Sequence, residues 1–188
     1  WKFMGLPNTG RIGRILIDPR DANIVYVAAL GHAYGPQKER GVYKSSDGGE
    51  TWSQVLFVDE NTGASDIALD ANNPDILIAG TWQIEMSTWL RNSGGPGSGL
   101  YMSKDKGENW SKIKGSGLPK LPWGKIAVGI APSNSKRIYA LIETAQHDFD
   151  GVLFRSDNGG KNWKKISHDQ ELTQRPHYYS RLTISPVD

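Results

Sequence analysis

The carboxylates that have the chemistry for acid and base catalysis are few and scattered along this chain. Glu60, Asp66 and Glu85 are the candidates, and Asp59 stands next to Glu60. Two carboxylates about 5 to 9.5 Å apart across a sugar–sugar bond can hydrolyse it. Nothing in the spacing of these residues pairs them, so the sequence predicts candidates for a hydrolytic site without predicting a dyad.

A second group of side chains has the chemistry for binding. Exposed Trp rings stack on sugar faces, and Arg and Tyr are frequent in protein-binding hot spots. The ligand-binding candidates are His32, Tyr34, Arg40, Trp82, Trp89, Arg91, Trp123, Arg175, His177 and Tyr178, with Glu39, Asn61 and His147 beside them. The alternative is that several of them pack the loops together, notably Trp82 and Trp123 near strand ends.

Metal chemistry is not predicted. The four histidines show neither HxH nor HExxH spacing, and the chain has no cysteine, which excludes disulfides and thiolate ligands. We therefore expect no metal and no cofactor.

A motif that occurs three times indicates which structural elements position these residues. It reads Ser-x-Asp/Asn-x-Gly-x-x-Trp and is called here the box motif. Its tryptophans recur at intervals of 58 and 53 residues. The box residues are Ser45, Asp47, Gly49, Trp52, Ser103, Asp105, Gly107, Trp110, Ser156, Asn158, Gly160 and Trp163. A repeat of about 50 residues is typical of solenoids and propeller blades.

Each repeat contains four short apolar segments separated by Pro, Asn, Asp, Ser and Gly, which is the chemistry of hairpins. Four antiparallel strands in about 50 residues make a propeller blade. The sequence therefore predicts an all-β fold with three full blades and partial flanking blades, as part of a larger propeller. In that case the remaining blades of the parent protein or neighbouring subunits cover the two outer sheet faces.

The predicted boundaries follow from the phase of the repeat. Residues 1–10 end a preceding blade, and residues 168–188 form a link and the first strand of a next blade, from Arg181. The three full blades are 11–57, 58–114 and 115–167.

The box motif itself has a local structural function. The glycine supplies a positive φ, the Asp or Asn accepts backbone N–H bonds within the turn, and the Trp packs between adjacent sheets. A carboxylate repeated in each blade is therefore expected to be a structural staple, and three separate active sites are the less favoured alternative.

Function is expected on the opposite face. The loops between the second and third strands and the links between blades lie there, and functional groups concentrate on loops held by a rigid scaffold. The innermost strands line a channel, with Arg14, Asp66, Ala127 and Arg181 at one level. Arg11, Lys125 and Tyr179 lie near its mouth. Arg14 and Arg181 either hold a ligand carboxylate or simply pair with Asp66 and other channel carboxylates.

Composition excludes several functions. The chain carries 22 Lys and Arg against 20 Asp and Glu, for a net charge of +2, and it has no block of like charge. Nucleic-acid binding is not expected, and no apolar stretch approaches the length of a membrane span.

The box motifs resemble those of the Asp-box, or BNR-repeat, propellers: sialidases, xyloglucanases and the luminal propeller of sortilin/Vps10 receptors. The phrases Gly31–Pro36, Val58–Asp66 and Arg175–Tyr179 are similar to those of large secreted bacterial proteins usually labelled as BNR-repeat glycosyl hydrolases or sortilin-like. The resemblance implies a secreted, periplasmic or cell-surface location. It covers essentially the whole chain and specifies the fold better than the function.

Two functions remain open at this stage. The first is a binding or assembly module for a protein or glycan ligand, because no nucleophile–base pair is evident. The alternative is a sialidase- or xyloglucanase-like glycoside hydrolase that uses carboxylates at the channel mouth.

Overall fold

The computed structural model describes residues 1–144 and 152–187, with the side chains of Gln170 and Tyr179 excepted. It contains three antiparallel sheets in sequence order. The predicted all-β architecture of four-stranded blades is confirmed.

The first sheet has its strands in chain order, so each strand pairs with the next one. Its strands are β1 (Arg11–Asp18), β2 (Asp21–Gly31), β3 (Gly41–Ser45) and β4 (Ser53–Leu56). The tight turn between β1 and β2 is stabilised by the Asp18 carboxylate, which accepts a hydrogen bond from the Arg20 backbone N–H at 2.9 Å.

The second sheet follows the same order but carries one additional strand. Its strands are β5 (Thr62–Leu69), β6 (Leu77–Met86), β7 (Arg91–Ser93), β8 (Gly99–Ser103) and β9 (Ser111–Lys112). The segment between the second and third strands of this blade, expected as a loop, is therefore partly a hairpin, in which β6 extends beyond the blade and pairs with β7.

The third sheet repeats the four-strand pattern. Its strands are β10 (Trp123–Ala131), β11 (Asn134–Thr144), β12 (Leu153–Ser156) and β13 (Lys164–Ser167). Gly151, expected to begin the third strand of this blade, lies outside the described residues.

The segment after the third sheet contains a short 3-10 helix (Gln170–Thr173) and one turn of α-helix, α1 (Pro176–Tyr179). The strand expected from Arg181 is not formed. Leu182 nevertheless packs on a buried cluster of the third sheet, and Ile184 lies against Gly129 of β10. The segment therefore lies beside the innermost strand of the third blade without pairing with it.

The core lies between neighbouring sheets. Tyr26 and Val42 of the first sheet form one cluster with Ile67 and Leu77 of the second, and Ile78 and Leu100 of the second sheet form another with residues of the third. Because each sheet buries one face against the next, the blades stabilise one another.

Neighbouring blades are also joined by polar contacts. The Ser65 hydroxyl donates to the carbonyl of Ile126 at 2.6 Å, and the Tyr26 hydroxyl donates to the carbonyl of Lys106 at 2.9 Å. β1, β5 and β10 each contain a register irregularity near the same end. Such β-bulges re-aim side chains next to functional sites.

The three box motifs form the same turn. Asp47 accepts hydrogen bonds from the Ser45 hydroxyl at 2.7 Å and from the Thr51 N–H at 2.9 Å. Asn158 does the same with Ser156 and Asn162, at 3.0 and 2.9 Å. The amide oxygen therefore replaces the carboxylate oxygen without loss of the turn.

Each box indole packs on the side of its sheet that faces the preceding part of the chain. Trp110 packs on the cluster between the first two sheets, and Trp163 on the cluster between the second and third. Each donates its Nε1–H to its own box glycine at 3.0 Å. Trp52 and Leu6 pack on the same cluster of the first sheet, and Trp52 donates to the carbonyl of Met4 at 2.7 Å. The first nine residues therefore take the place of a preceding sheet.

The box carboxylates predict a pH dependence of stability. Hydrogen bonds from Thr51 lower the pKa of Asp47 to about 2, and those from the N–H and amide of Asn109 lower the pKa of Asp105 to about 2. An unfolded Asp titrates near pH 4. Because the folded pKa is depressed, the stabilisation is present above about pH 4 and is lost as the pH falls towards 2.

We expect the melting temperature of the intact protein to fall between pH 5 and pH 2, and to fall less steeply in the double variant Asp47→Asn, Asp105→Asn. The control Asp21→Asn removes an exposed carboxyl outside the box motifs and should keep the wild-type slope. An identical pH profile for the double variant would show that the box carboxylates are not the groups responsible.

Candidate functional site

A cleft of about 300 Å³ opens on the face that carries the long loops, called here the loop face. One wall is the loop after β2, with Gly35 and Pro36. The other wall is the hairpin of β6 and β7, called here the arm, with Ile84, Glu85 and Leu90. The structure thus brings together two segments that are about 50 residues apart in the sequence.

The arm is held in place by hydrogen bonds at its base. The Trp82 Nε1–H donates to the Ser93 hydroxyl at 3.0 Å, and this hydroxyl donates to Glu143 Oε2 at 2.8 Å. At the tip, the Ser87 N–H donates to the carbonyl of Leu90 at 2.7 Å. This closed turn projects Trp89, which is 94% exposed.

Three of the ten predicted ligand-binding residues are buried. Trp82 and Trp123 lie in hydrophobic clusters, and Arg40 is 1% exposed. The Arg40 guanidinium donates to the carbonyl of Gly35 at 3.0 Å and to that of Asn61 at 3.3 Å. Arg40 therefore holds two cleft-lining segments in place from the protein interior. None of the three side chains offers a surface to a ligand.

The other candidates lie at the surface of the loop face. His32 and Tyr34 follow β2, Arg91 lies on the arm, and Arg175, His177 and Tyr178 lie in the link around α1. Of these, the structure brings Arg91 and His177 together: Arg91 Nη1 lies 2.7 Å from the imidazole nitrogens. His147 lies outside the described residues.

Asp66 is engaged in structural contacts. It is 4% exposed, and it forms an ion pair with Arg14 in the neighbouring blade. It also accepts hydrogen bonds from the backbone N–H groups of Ile67 and Val128, both at 3.0 Å. Both carboxylate oxygens are thus occupied, and Asp66 joins all three blades. Arg181, expected at the same level, is exposed.

Of the remaining carboxylates, Glu60 and Glu85 are exposed. Glu85 lines the cleft, and Glu60 precedes the cleft residue Asn61 in the chain. Asp59 is half-buried and accepts a hydrogen bond from the Asn61 N–H at 2.8 Å. Glu85 is therefore the predicted candidate that a ligand in the cleft would meet.

Metal-binding clusters and membrane-spanning helices are both absent from the described residues. No three His, Asp or Glu side chains there lie close enough to hold a metal ion. In the same part of the chain, no helix has the length and apolar character needed to cross a bilayer.

This chain was compared with known proteins by family and by sequence. No family model matches the chain. A xyloglucanase of Paenibacillus sp is 32% identical over 151 residues, which cover 78% of this chain and 12% of that protein. The chain is similar to xyloglucanases. It spans between 12% and 26% of the length of the curated xyloglucanases that it matches.

Solved structures agree on the fold. The GH74 xyloglucanase from Xanthomonas campestris has a TM-score of 0.66 at 19% identity, with 94% of this chain and 26% of that chain covered. YCF48 from Cyanidioschyzon merolae has a TM-score of 0.55 at 23% identity, covering 93% of this chain and 46% of that chain. These similarities support a propeller of the glycosyl hydrolase-like kind, of which this chain is a part.

Sequence reasoning missed Glu143 as a site residue. Its carboxylate accepts from the Ser93 hydroxyl and from the Lys125 N–H, both at 2.8 Å, and so ties the arm to β10. Its position near the loop-face end of β11, directly after the apolar run Ala140–Ile142, is the signal that could have identified it.

Proposed function

We propose that this chain is part of a propeller glycoside hydrolase that acts on a xyloglucan-type β-glucan, and that its loop face binds the polysaccharide. The similarity to xyloglucanases supports the substrate class. The observation that carries the proposal is the exposed indole of Trp89 beside a cleft lined by Glu85. Polysaccharides of this kind lie outside cells, so we also propose an extracellular location.

In our proposal, Trp89 beside the cleft and Glu85 within it have different tasks. The Trp89 ring offers an apolar face for stacking on a pyranose, and the Glu85 carboxylate offers acceptors for sugar hydroxyls. Hydrolysis needs a second carboxylate about 5 to 9.5 Å from the first. Asp66 is occupied by Arg14, so in our proposal this chain contributes substrate binding and other residues contribute at least one of the catalytic carboxylates.

The first test is the replacement of Trp89 by alanine in the intact protein. We expect the affinity for xyloglucan to fall about tenfold or more, because a central aromatic contact is typical of binding hot spots. Isothermal titration calorimetry with xyloglucan oligosaccharides measures the affinity, and reducing-end release measures hydrolysis.

The matched control is Phe57→Ala, which removes an exposed aromatic ring that is not among the cleft residues. This variant should bind as the wild type does. Unchanged affinity in the Trp89 variant would overturn the assignment of the arm as the sugar-binding element.

The second candidate function is a module that binds or assembles proteins. A solved propeller of similar fold, YCF48 bound to D1 peptide, has a TM-score of 0.50. Leu90 and Trp89, 65% and 94% exposed, give the arm an apolar tip of the kind found in protein interfaces. Absence of reducing-end release and of glycan binding by the intact protein would favour this function over the first.

A further inference from the structure

A groove of about 540 Å³, called here the seam groove, lies where the second sheet meets the third box motif. None of the described residues that line it also lines the cleft of the loop face. Met102 and Ile113, which pack on the cluster between the second and third sheets, give it an apolar surface. Its charged lining residues are Lys104, Asp105, Lys112, Lys114 and Lys161.

The lysines of the seam groove have no carboxylate partners in the described part of the chain. None of the ion pairs found among residues 1–144 and 152–187 includes Lys104, Lys112, Lys114 or Lys161. Lys112 is half-buried, and its Nζ donates to the carbonyl of Pro96 at 3.0 Å, while the other three lysines are exposed. Burial, then the like charge of Lys114, lower the pKa of Lys112. Positive charge therefore accumulates along the groove.

The acidic groups near the groove are already engaged. The Asp105 carboxylate accepts hydrogen bonds from the Ser103 hydroxyl at 2.8 Å and from the Asn109 N–H at 2.9 Å. Asp157, in the third box motif, is paired with two arginines. With the charge of Asp105 included, four lysines face one carboxylate among the described residues that line the groove.

Comparison of the three repeats shows that this excess of positive charge departs from a pattern. The residue after the box glycine is Glu50 in the first motif and Glu108 in the second. Glu50 pairs with Lys2 at 2.6 Å, and Glu108 pairs with Lys44 on β3. Each of these glutamates thus neutralises a lysine in the preceding part of the chain. The same position in the third motif is occupied by Lys161.

The other side of this contact changes as well. Lys44 immediately precedes the first box motif, and Met102 stands at the equivalent position before the second. The ion pair that joins the first two sheets is therefore replaced by Met102 and Lys161. Asn158 removes a further negative charge and keeps the turn. A repeat that departs from its own pattern while its structure is kept marks a candidate for function.

We infer that the seam groove binds a phosphate group, as a second ligand site that does not depend on the proposed function. A phosphate monoester carries about 1.5 to 2 negative charges at pH 7. Lysine binds phosphate as a point charge, whereas the planar carboxylate is matched by the fork of an arginine, and none of the described lining residues is an arginine. The exposed Ser111 hydroxyl in the groove adds a hydrogen-bond donor.

The test is calorimetry on the intact protein at low salt with inorganic phosphate, tripolyphosphate and polyglutamate. Lys161→Glu introduces the residue type that the first two box motifs carry at this position, so the turn is expected to form. Lys114→Gln removes a second exposed charge. Lys38→Glu, at an exposed lysine that is not among the groove residues, is the matched control.

We expect tripolyphosphate to bind the wild type and to lose affinity about tenfold in Lys161→Glu, because a positive charge becomes negative. Lys114→Gln should lower the affinity about threefold, and Lys38→Glu should leave it unchanged. Inorganic phosphate that binds as tightly as tripolyphosphate would identify free phosphate as the ligand. Inorganic phosphate that binds about tenfold more weakly would identify a ligand that carries several phosphates.

Absence of binding by both phosphate probes would overturn this inference, and so would tripolyphosphate binding that Lys161→Glu and Lys114→Gln leave unchanged. Polyglutamate that binds as tightly as tripolyphosphate would show that the groove selects charge alone, and the assignment to phosphate would be wrong. Xyloglucan binding through Trp89 is expected to be the same in all three lysine variants. The failure of this inference and the failure of the proposed function are therefore separate results.

Discussion

Replacing Asp66 by alanine is expected to lower the free energy of unfolding of the intact protein by about 3 kcal/mol. The reason is that one side chain satisfies groups in three blades. Its loss leaves the Arg14 guanidinium without its carboxylate and the Val128 N–H without an acceptor. An unpaired buried donor costs about 1 to 3 kcal/mol by itself.

Denaturant unfolding monitored by tryptophan fluorescence measures this effect. The double variant Arg14→Met, Asp66→Ala should be less destabilised than the sum of the two single variants, because the partner charge is removed together with the carboxylate. Asp21→Ala, at an exposed position, is the control and should change stability by less than about 0.5 kcal/mol.

The same variant decides between the structural and the catalytic interpretation of Asp66. If Asp66→Ala unfolds at the wild-type denaturant concentration and yet loses hydrolysis, Asp66 acts on the substrate and its contacts to Arg14 and Val128 are incidental. If stability falls and the remaining folded protein still releases reducing ends, the structural interpretation holds.

The repeat made the blades predictable from sequence. Turn chemistry is local: a Ser and an Asp or Asn two residues apart, followed by a glycine that adopts a φ of +81 to +95°, define a turn whatever surrounds it. The position of strand four after each box follows from the same turn.

The arm could not be predicted in this way. Pairing of Met86 with Arg91 extends a hairpin beyond its blade, and its base depends on a hydrogen bond from Ser93 to Glu143 in another blade. Arg40 was predicted to bind a ligand, and its burial could not be predicted for a related reason. Its burial depends on backbone carbonyls of Gly35 and Asn61 that only the fold brings to it.

The strand expected from Arg181 shows the limit of pattern matching. Apolar alternation makes a segment suitable for a strand, but a strand also needs a hydrogen-bonded neighbour. In the part of the chain that the structure describes, Leu182 and Ile184 find apolar contacts with the third sheet but no backbone partner.

The second large effect is expected for Trp163→Ala, which should destabilise the protein by about 3 to 5 kcal/mol. Trp163 is 5% exposed and packs in the cluster that joins the second and third sheets. Its removal leaves a cavity between two sheets that other contacts hold at a fixed distance, so the site collapses only partly. The loss of the Nε1–H bond to Gly160 adds to the cost.

A second box indole, Trp52, and the exposed arm indole, Trp89, provide an internal comparison for this prediction. Trp52 is only half-buried, against the short segment around Met4 and Leu6, so Trp52→Ala is expected to cost about 2 kcal/mol. Trp89→Ala, at the exposed tip of the arm, should leave stability within about 0.5 kcal/mol of the wild type. Denaturant unfolding of the three variants should therefore rank them by the sheet area that each indole covers. Equal losses for Trp52 and Trp163 would mean that the box indoles stabilise their own turns rather than the contact between blades.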